Sequence, residues 1–128
     1  MPDMGYRDNV MGPQPIGKRK PIPETLMQAV AQILDLLADG KSSELIAMSV
    51  DTAKDETAKL SSAVKPGIYS DKRVAATART NEHYWIKAEL TGAEVKPFLF
   101  QLRLGPAHDH WVIWQATNLS DSRSAWTR

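Results

Sequence analysis

From residue 72 to residue 118 the chain alternates apolar and polar residues through four consecutive segments, which restricts it to a sheet built of sequence-adjacent strands. Successive side chains of a strand point to opposite faces, so a period of two marks a strand with one buried face. The segments are Lys72–Thr80, Tyr84–Leu90, Val95–Leu104 and His110–Asn118. In the second, Tyr84, Ile86, Ala88 and Leu90 share one face, opposite Trp85, Lys87 and Glu89. In the third, Phe98, Phe100, Leu102 and Leu104 oppose Pro97, Leu99, Gln101 and Arg103. The fourth sets Val112, Trp114 and Ala116 against Trp111, Ile113, Gln115 and Thr117, and the first sets Val74, Ala76 and Ala78 against Arg73, Ala75, Thr77 and Arg79.

Register follows from parity, because residues directly opposite each other lie on the same face. A two-residue loop at Asn81-Glu82 would put Ala78 opposite Trp85 and Ala76 opposite Lys87, mixing the faces. A three-residue loop, Asn81-Glu82-His83, instead pairs Ala78 with Ile86, Ala76 with Ala88 and Val74 with Leu90. The same reasoning asks for an odd loop around Thr91-Gly92-Ala93 and another at Gly105–Asp109. Short connections make the sheet an antiparallel meander whose apolar face needs a cover.

The preceding residues supply that cover as helices. Pro23 suits a first helical position, where its missing N–H costs nothing, and Glu24 favours the positive end of the helix dipole. Leu26, Met27, Val30, Ile33, Leu34 and Leu37 form an apolar stripe at three- and four-residue spacing, and Gly40 fits the left-handed position past the end. A short helix is expected over Ser43–Ser49 with Ser42 as its cap, and a third over Ala53–Ala63, stopped by Pro66-Gly67. Helices followed by a run of antiparallel strands is an α+β arrangement, with N-terminal helices packed on a four-stranded antiparallel sheet.

A chain of 128 residues is one domain with room for one core, and a net charge of +1 implies no strong pull toward nucleic acid or membrane. The absence of cysteine excludes disulfides, thiolate catalysis and cysteine-type zinc sites. No apolar run has signal-peptide or transmembrane length, so the expected location is cytoplasmic. Residues 1–22 hold Pro2, Pro13, Pro15 and Pro21, half of the prolines, and the basic run Lys18-Arg19-Lys20, and are expected to be a flexible or surface-laid arm. Residues 23–119 are expected to be the domain, and 120–128 a polar tail on which Trp126 is the residue able to dock.

Three helices and then four consecutive strands, with the local run Trp111-Val112-Ile113-Trp114-Gln115 as closing strand, resembles the NTF2-like superfamily of the wider cystatin-like group. The resemblance spans residues 23–118 and carries no catalytic motif. It implies a long helix lying in the hollow of a curved sheet, a cone-shaped cavity between them, and dimerisation through the outer sheet face. It also implies an additional short strand, for which Ile68–Ser70 is the candidate. The superfamily contains isomerases, dehydratases, hydrolases, ligand binders and interaction modules, so the fold alone does not select an activity.

On this reading Tyr69, Tyr84, Phe98, Phe100 and Trp114 line a pocket for a small apolar or amphipathic ligand, with no cofactor and no metal. Trp85, Leu99, Arg103, Trp111 and Ile113 gather on the outer face as the surface of a homodimer. His108-Asp109-His110 places two imidazoles at a spacing that could share a metal, but its position after Gly105-Pro106 reads as a polar hairpin loop. An isomerase or dehydratase would need an acid or base inside the hollow, and Tyr84 is the inward candidate, while Asp35, Asp39, Glu44, Glu89 and Glu94 fall on wet faces. The other alternative is an assembly module whose hollow is filled. Stacking of single-stranded nucleic acid on the outer face is disfavoured by Glu89 and Gln101.

Overall fold

The computed structural model describes residues 22–120. The expected N-terminal arm, the C-terminal tail and Trp126 lie outside the described residues. The chain runs through α1 (Glu24–Ala38), α2 (Ser42–Ala47), a 3-10 turn (Asp51–Ala53), α3 (Lys54–Ala63) and then β1 (Asp71–Thr80), β2 (His83–Thr91), β3 (Phe98–Ala107) and β4 (His110–Asn118). The strands form one antiparallel meander in the order β1-β2-β3-β4. This is the expected α+β arrangement of helices on a four-stranded sheet.

Helix α1 starts one residue later than its proline suggests. Pro23 stands as the cap, and its carbonyl accepts the amides of Leu26 and Met27. Leu26, Val30, Ile33, Leu34, Leu37 and Ala38 are buried, whereas Met27 leaves the stripe and is 37% exposed. Gly40 takes the left-handed conformation at φ +74° and lies so close to Pro66 that a Cβ would meet its ring at 2.8 Å. That contact, with the Gly67 amide donating to the Ala38 carbonyl, ties the end of α1 to the turn after α3. Helix α2 begins at Ser42 rather than after it, and the Ser42 hydroxyl bonds Ser61 of α3 at 2.6 Å. Below it, Thr57 and Ser49 are buried and share a hydrogen bond of 2.8 Å, so neither hydroxyl is left unsatisfied in the core. Ile68–Ser70 makes no strand, although the Ser70 amide donates to the Thr91 carbonyl.

The central pair of strands has the expected phase. Tyr84, Ile86, Ala88 and Leu90 stand opposite Leu104, Leu102, Phe100 and Phe98. The two outer pairings do not. Both hairpins turn through two residues, Asn81-Glu82 and His108-Asp109, with Asn81 and His108 in the left-handed region at φ 57° and 59°. Ala78 therefore lies opposite Trp85 and Ala76 opposite Lys87, the arrangement that parity alone rejects. An extra residue, Ala75, then shifts the register and brings Val74 opposite Ala88. On the other side Trp114 is the extra residue, between the pairs Arg103–Gln115 and Leu104–Ile113. A bulge adds one residue to one strand, so it reverses the parity of everything beyond it and bends the strand. Alternation contains no signal for an inserted residue, and an even loop plus a bulge restores the phase that an odd loop would give.

The side chains of α1, Leu45 of α2 and Leu60 and Val64 of the α3 end join Ile86, Leu90, Phe100, Leu102 and Leu104 in a single core. Phe100, Ile86, Leu90 and Leu104 have no exposed surface. An ion pair of 3.1 Å between Lys72 of β1 and Asp35 of α1 closes the rim of this layer.

Candidate functional site

The two sides of the sheet differ in kind. The inner face is core, and the outer face carries an ordered cluster of half-buried residues around Arg103. Phase puts His83 and Trp85 of β2, Arg103 of β3 and Gln115 of β4 on that face, with the bulge residue Trp114 beside them. The Arg103 Nε–H donates to His83 Nδ1 at 2.8 Å, and its Nη1 donates to Gln115 Oε1 at 3.1 Å. The guanidinium also lies over the Trp85 ring, 5.6 Å from its centroid, within cation–π range. His83 in turn packs on Trp114 with ring centroids 4.8 Å apart.

This arrangement assigns the proton of His83. Arginine can only donate, so Nδ1 accepts and the ring of a neutral imidazole carries its hydrogen on Nε2. Burial is the largest cause holding the His83 pKa below 6.5; the Arg103 charge adds to it, and Glu82 opposes both. Gly105 makes the seat possible, since a Cβ at that position would stand 2.6 Å from His83 Nε2. The Trp114 Nε1–H is buried and has no hydrogen-bond partner.

Farther along the same face, Arg73 donates to Glu89 Oε1 through Nε at 3.1 Å and through Nη2 at 2.7 Å. Leu99 stands opposite Glu89, and Gln101 opposite Lys87. The face thus presents both signs of charge around aromatic and aliphatic surface.

A groove of about 410 Å³ lies at the other side of the molecule, between the flank of α1, the end of α2 and the β3–β4 hairpin. Thr25, Gln28, Gln32, Met48, Asp109 and Trp111 are among its walls. Trp111 packs edge-on against Tyr84 at 5.9 Å and donates from Nε1 to Thr25 Oγ1 at 3.0 Å, so its ring is held by α1. His108 and His110 stack at 6.4 Å, and His110 stands 3.6 Å from the exposed Asp109 carboxylate. Among the described residues no three His, Cys, Asp or Glu side chains are grouped so as to hold a metal ion. No described helix is long and apolar enough to cross a membrane.

The architecture matches a solved structure of an NTF2 design, a five-substitution variant of Rd1NTF2_05, at a TM-score of 0.56 over 73% of this chain and 95% of that one, with 11% identity. The fold is NTF2-like. A DUF4783 family protein from Bacteroides ovatus is also similar, at a TM-score of 0.49 and 15% identity over 75% of this chain and 92% of that one. No protein-family model matches the sequence, and no curated protein matches it.

Within the NTF2-like domain the expected site residues are distributed as follows. Tyr84, Phe98 and Phe100 do face the helices, but as members of the packed core, with Phe100 fully buried. Tyr69 is half-buried against Phe98, at 6.4 Å between centroids. Trp114 lies on the opposite side of the sheet from these four, because the bulge turns it outward onto His83. Of the residues expected outside, Trp85, Leu99 and Arg103 are there. Ile113 is not: it pairs with Leu104 and is 1% exposed in the core. Trp111 likewise turns toward Tyr84 and α1. Alternation read with an odd loop leaves His83 in the turn; the observed two-residue turn makes it the first residue of β2, in phase with Trp85.

Proposed function

We propose that this NTF2-like domain is a non-enzymatic assembly module that pairs with a second copy of itself through the outer sheet face. The observation that carries the proposal is the Trp85–Arg103–His83–Trp114 cluster, prearranged on the side of the sheet away from the helical core. Tryptophan and arginine are the residues enriched at interface centres, and side chains held in place before contact lose little entropy on association. The mixed charge of Lys87, Glu89 and Arg103 suits a twofold interface, in which each patch meets its own copy and needs both signs.

The sheet edges argue against edge-to-edge pairing. At β4 the Ile113 amide donates to the Met48 carbonyl at 2.8 Å, the Val50 amide donates to the Ile113 carbonyl at 2.9 Å, and the Ala116 amide donates to Glu56 Oε1 at 2.6 Å. At β1 the Ala75 bulge and the exposed Lys72, Arg73 and Arg79 blunt the strand. Pairing is thereby directed to the face.

The test is the molar mass of the full chain at tens of micromolar by light scattering, for wild type and for Trp85→Glu and Leu99→Glu. A wild-type dimer that becomes monomeric in both variants, with unchanged far-ultraviolet circular dichroism, supports the proposal. A monomeric wild type, or dimers that survive both substitutions, overturns it.

A further inference from the structure

The centre of the outer-face cluster is an imidazole whose neutral form is required by its own contacts. His83 accepts the Arg103 Nε–H at 2.8 Å, lies on Trp114 at 4.8 Å and leaves no room for a Cβ on Gly105 beneath it. We propose that protonation of His83 breaks this clamp and weakens pairing through the outer face, so that self-association is lost on acidification. The inference rests on the pairing proposed above and names how that same surface is regulated.

The chemistry has one direction. A proton on Nδ1 removes the acceptor of Arg103 and sets an imidazolium against a guanidinium at hydrogen-bond distance, a repulsion between like charges. The groups around the ring offer little compensation. Arg103 from β3 opposes protonation, Glu82 from the turn is the charge that favours it, and Trp114 and Gln115 from β4 and Thr80 from β1 are uncharged. When the ring swings out, Arg103 loses the anchor on its Nε–H, keeping only Gln115 and Trp85, and Trp114 loses its cover; both are parts of the proposed contact surface.

The sign follows from linkage. A histidine with a lowered pKa binds fewer protons when packed than when free, so pH below about 6.5 disfavours the packed state. A dimer interface would bury the ring further. Each additional unit by which it lowers the His83 pKa weakens association about tenfold per protomer once the pH is below both values.

The experiment is sedimentation equilibrium of the full chain at pH 7.5 and 5.5, with nitrogen NMR of the imidazoles over the same range. To silence the other histidines it is run in a His108→Gln/His110→Gln background, with and without His83→Asn. The expected result is a dissociation constant that rises about tenfold or more at pH 5.5 when His83 is present and stays level when it is Asn. The ring should carry its proton on Nε2 at pH 7.5 and titrate below 6.5. A dimer equally tight at both pH values overturns this inference and leaves the pairing intact. A chain monomeric at pH 7.5 overturns the pairing and the inference with it. A His83 that titrates above 6.5, or carries its proton on Nδ1, overturns the inference by itself.

Discussion

Replacing Gly105 by alanine tests whether the outer-face cluster is as tightly seated as its distances indicate. The backbone of Gly105 is not in the left-handed region, so alanine brings no conformational strain. Its Cβ would stand 2.6 Å from His83 Nε2 and 2.8 Å from the neighbouring ring carbons, closer than real contacts allow. The imidazole must move, and it is held by Arg103 on one side and Trp114 on the other. One hydrogen bond is worth about 0.5–1.5 kcal/mol net, and overpacking of this kind costs about 1–3 kcal/mol in total. In a domain of this size each kcal/mol moves the melting temperature by roughly 4–8 °C. The same substitution in a His83→Ala background has no ring to strike. There it should be neutral or stabilise by about 0.4–1 kcal/mol, because alanine restricts the unfolded chain. Urea denaturation of the four proteins in this cycle should therefore give a coupling of about 1–3 kcal/mol between positions 105 and 83. Additivity within about 0.5 kcal/mol would refute the seating of His83 on Gly105, and with it the rigidity ascribed to the cluster.

Two further substitutions probe the other face and the sheet edge. Phe100→Ala removes a side chain with no exposed surface from the centre of the core, and should cost about 3–5 kcal/mol by denaturant unfolding without altering the oligomeric state. Glu56→Ala deprives the Ala116 amide of its acceptor, should cost about 1–3 kcal/mol, and should raise the rate of aggregation in turbidity assays by uncovering the β4 edge.

The residues of β2 and β3 carry the fold in their own order. Tyr84 to Leu90 and Phe98 to Leu104 alternate without interruption, and the structure pairs them in the phase that the alternation dictates. The stripe of α1 from Leu26 to Leu37 is as plain, with the exposed Met27 the exception. The candidate site was legible only in part. Trp85, Leu99 and Arg103 lie on uninterrupted strands and fall on the outer face as expected. Trp111, Ile113 and Trp114 surround a bulge, and all three stand on the side opposite to the one that parity assigns.

Local side-chain order, then, determined that this chain makes helices first and a four-stranded meander after them, since burial of a period-two or period-3.6 stripe is a property of each segment by itself. Tertiary structure decided where the phase breaks. An inserted residue is chosen by competition among whole registers, through the contacts of α1, the 3-10 turn and α3 with β4 and the fit of His83 over Gly105, and no short window of sequence contains that sum. His83 thus joins the outer-face cluster through a partner 20 positions away in the chain, Arg103, and through a glycine beyond it.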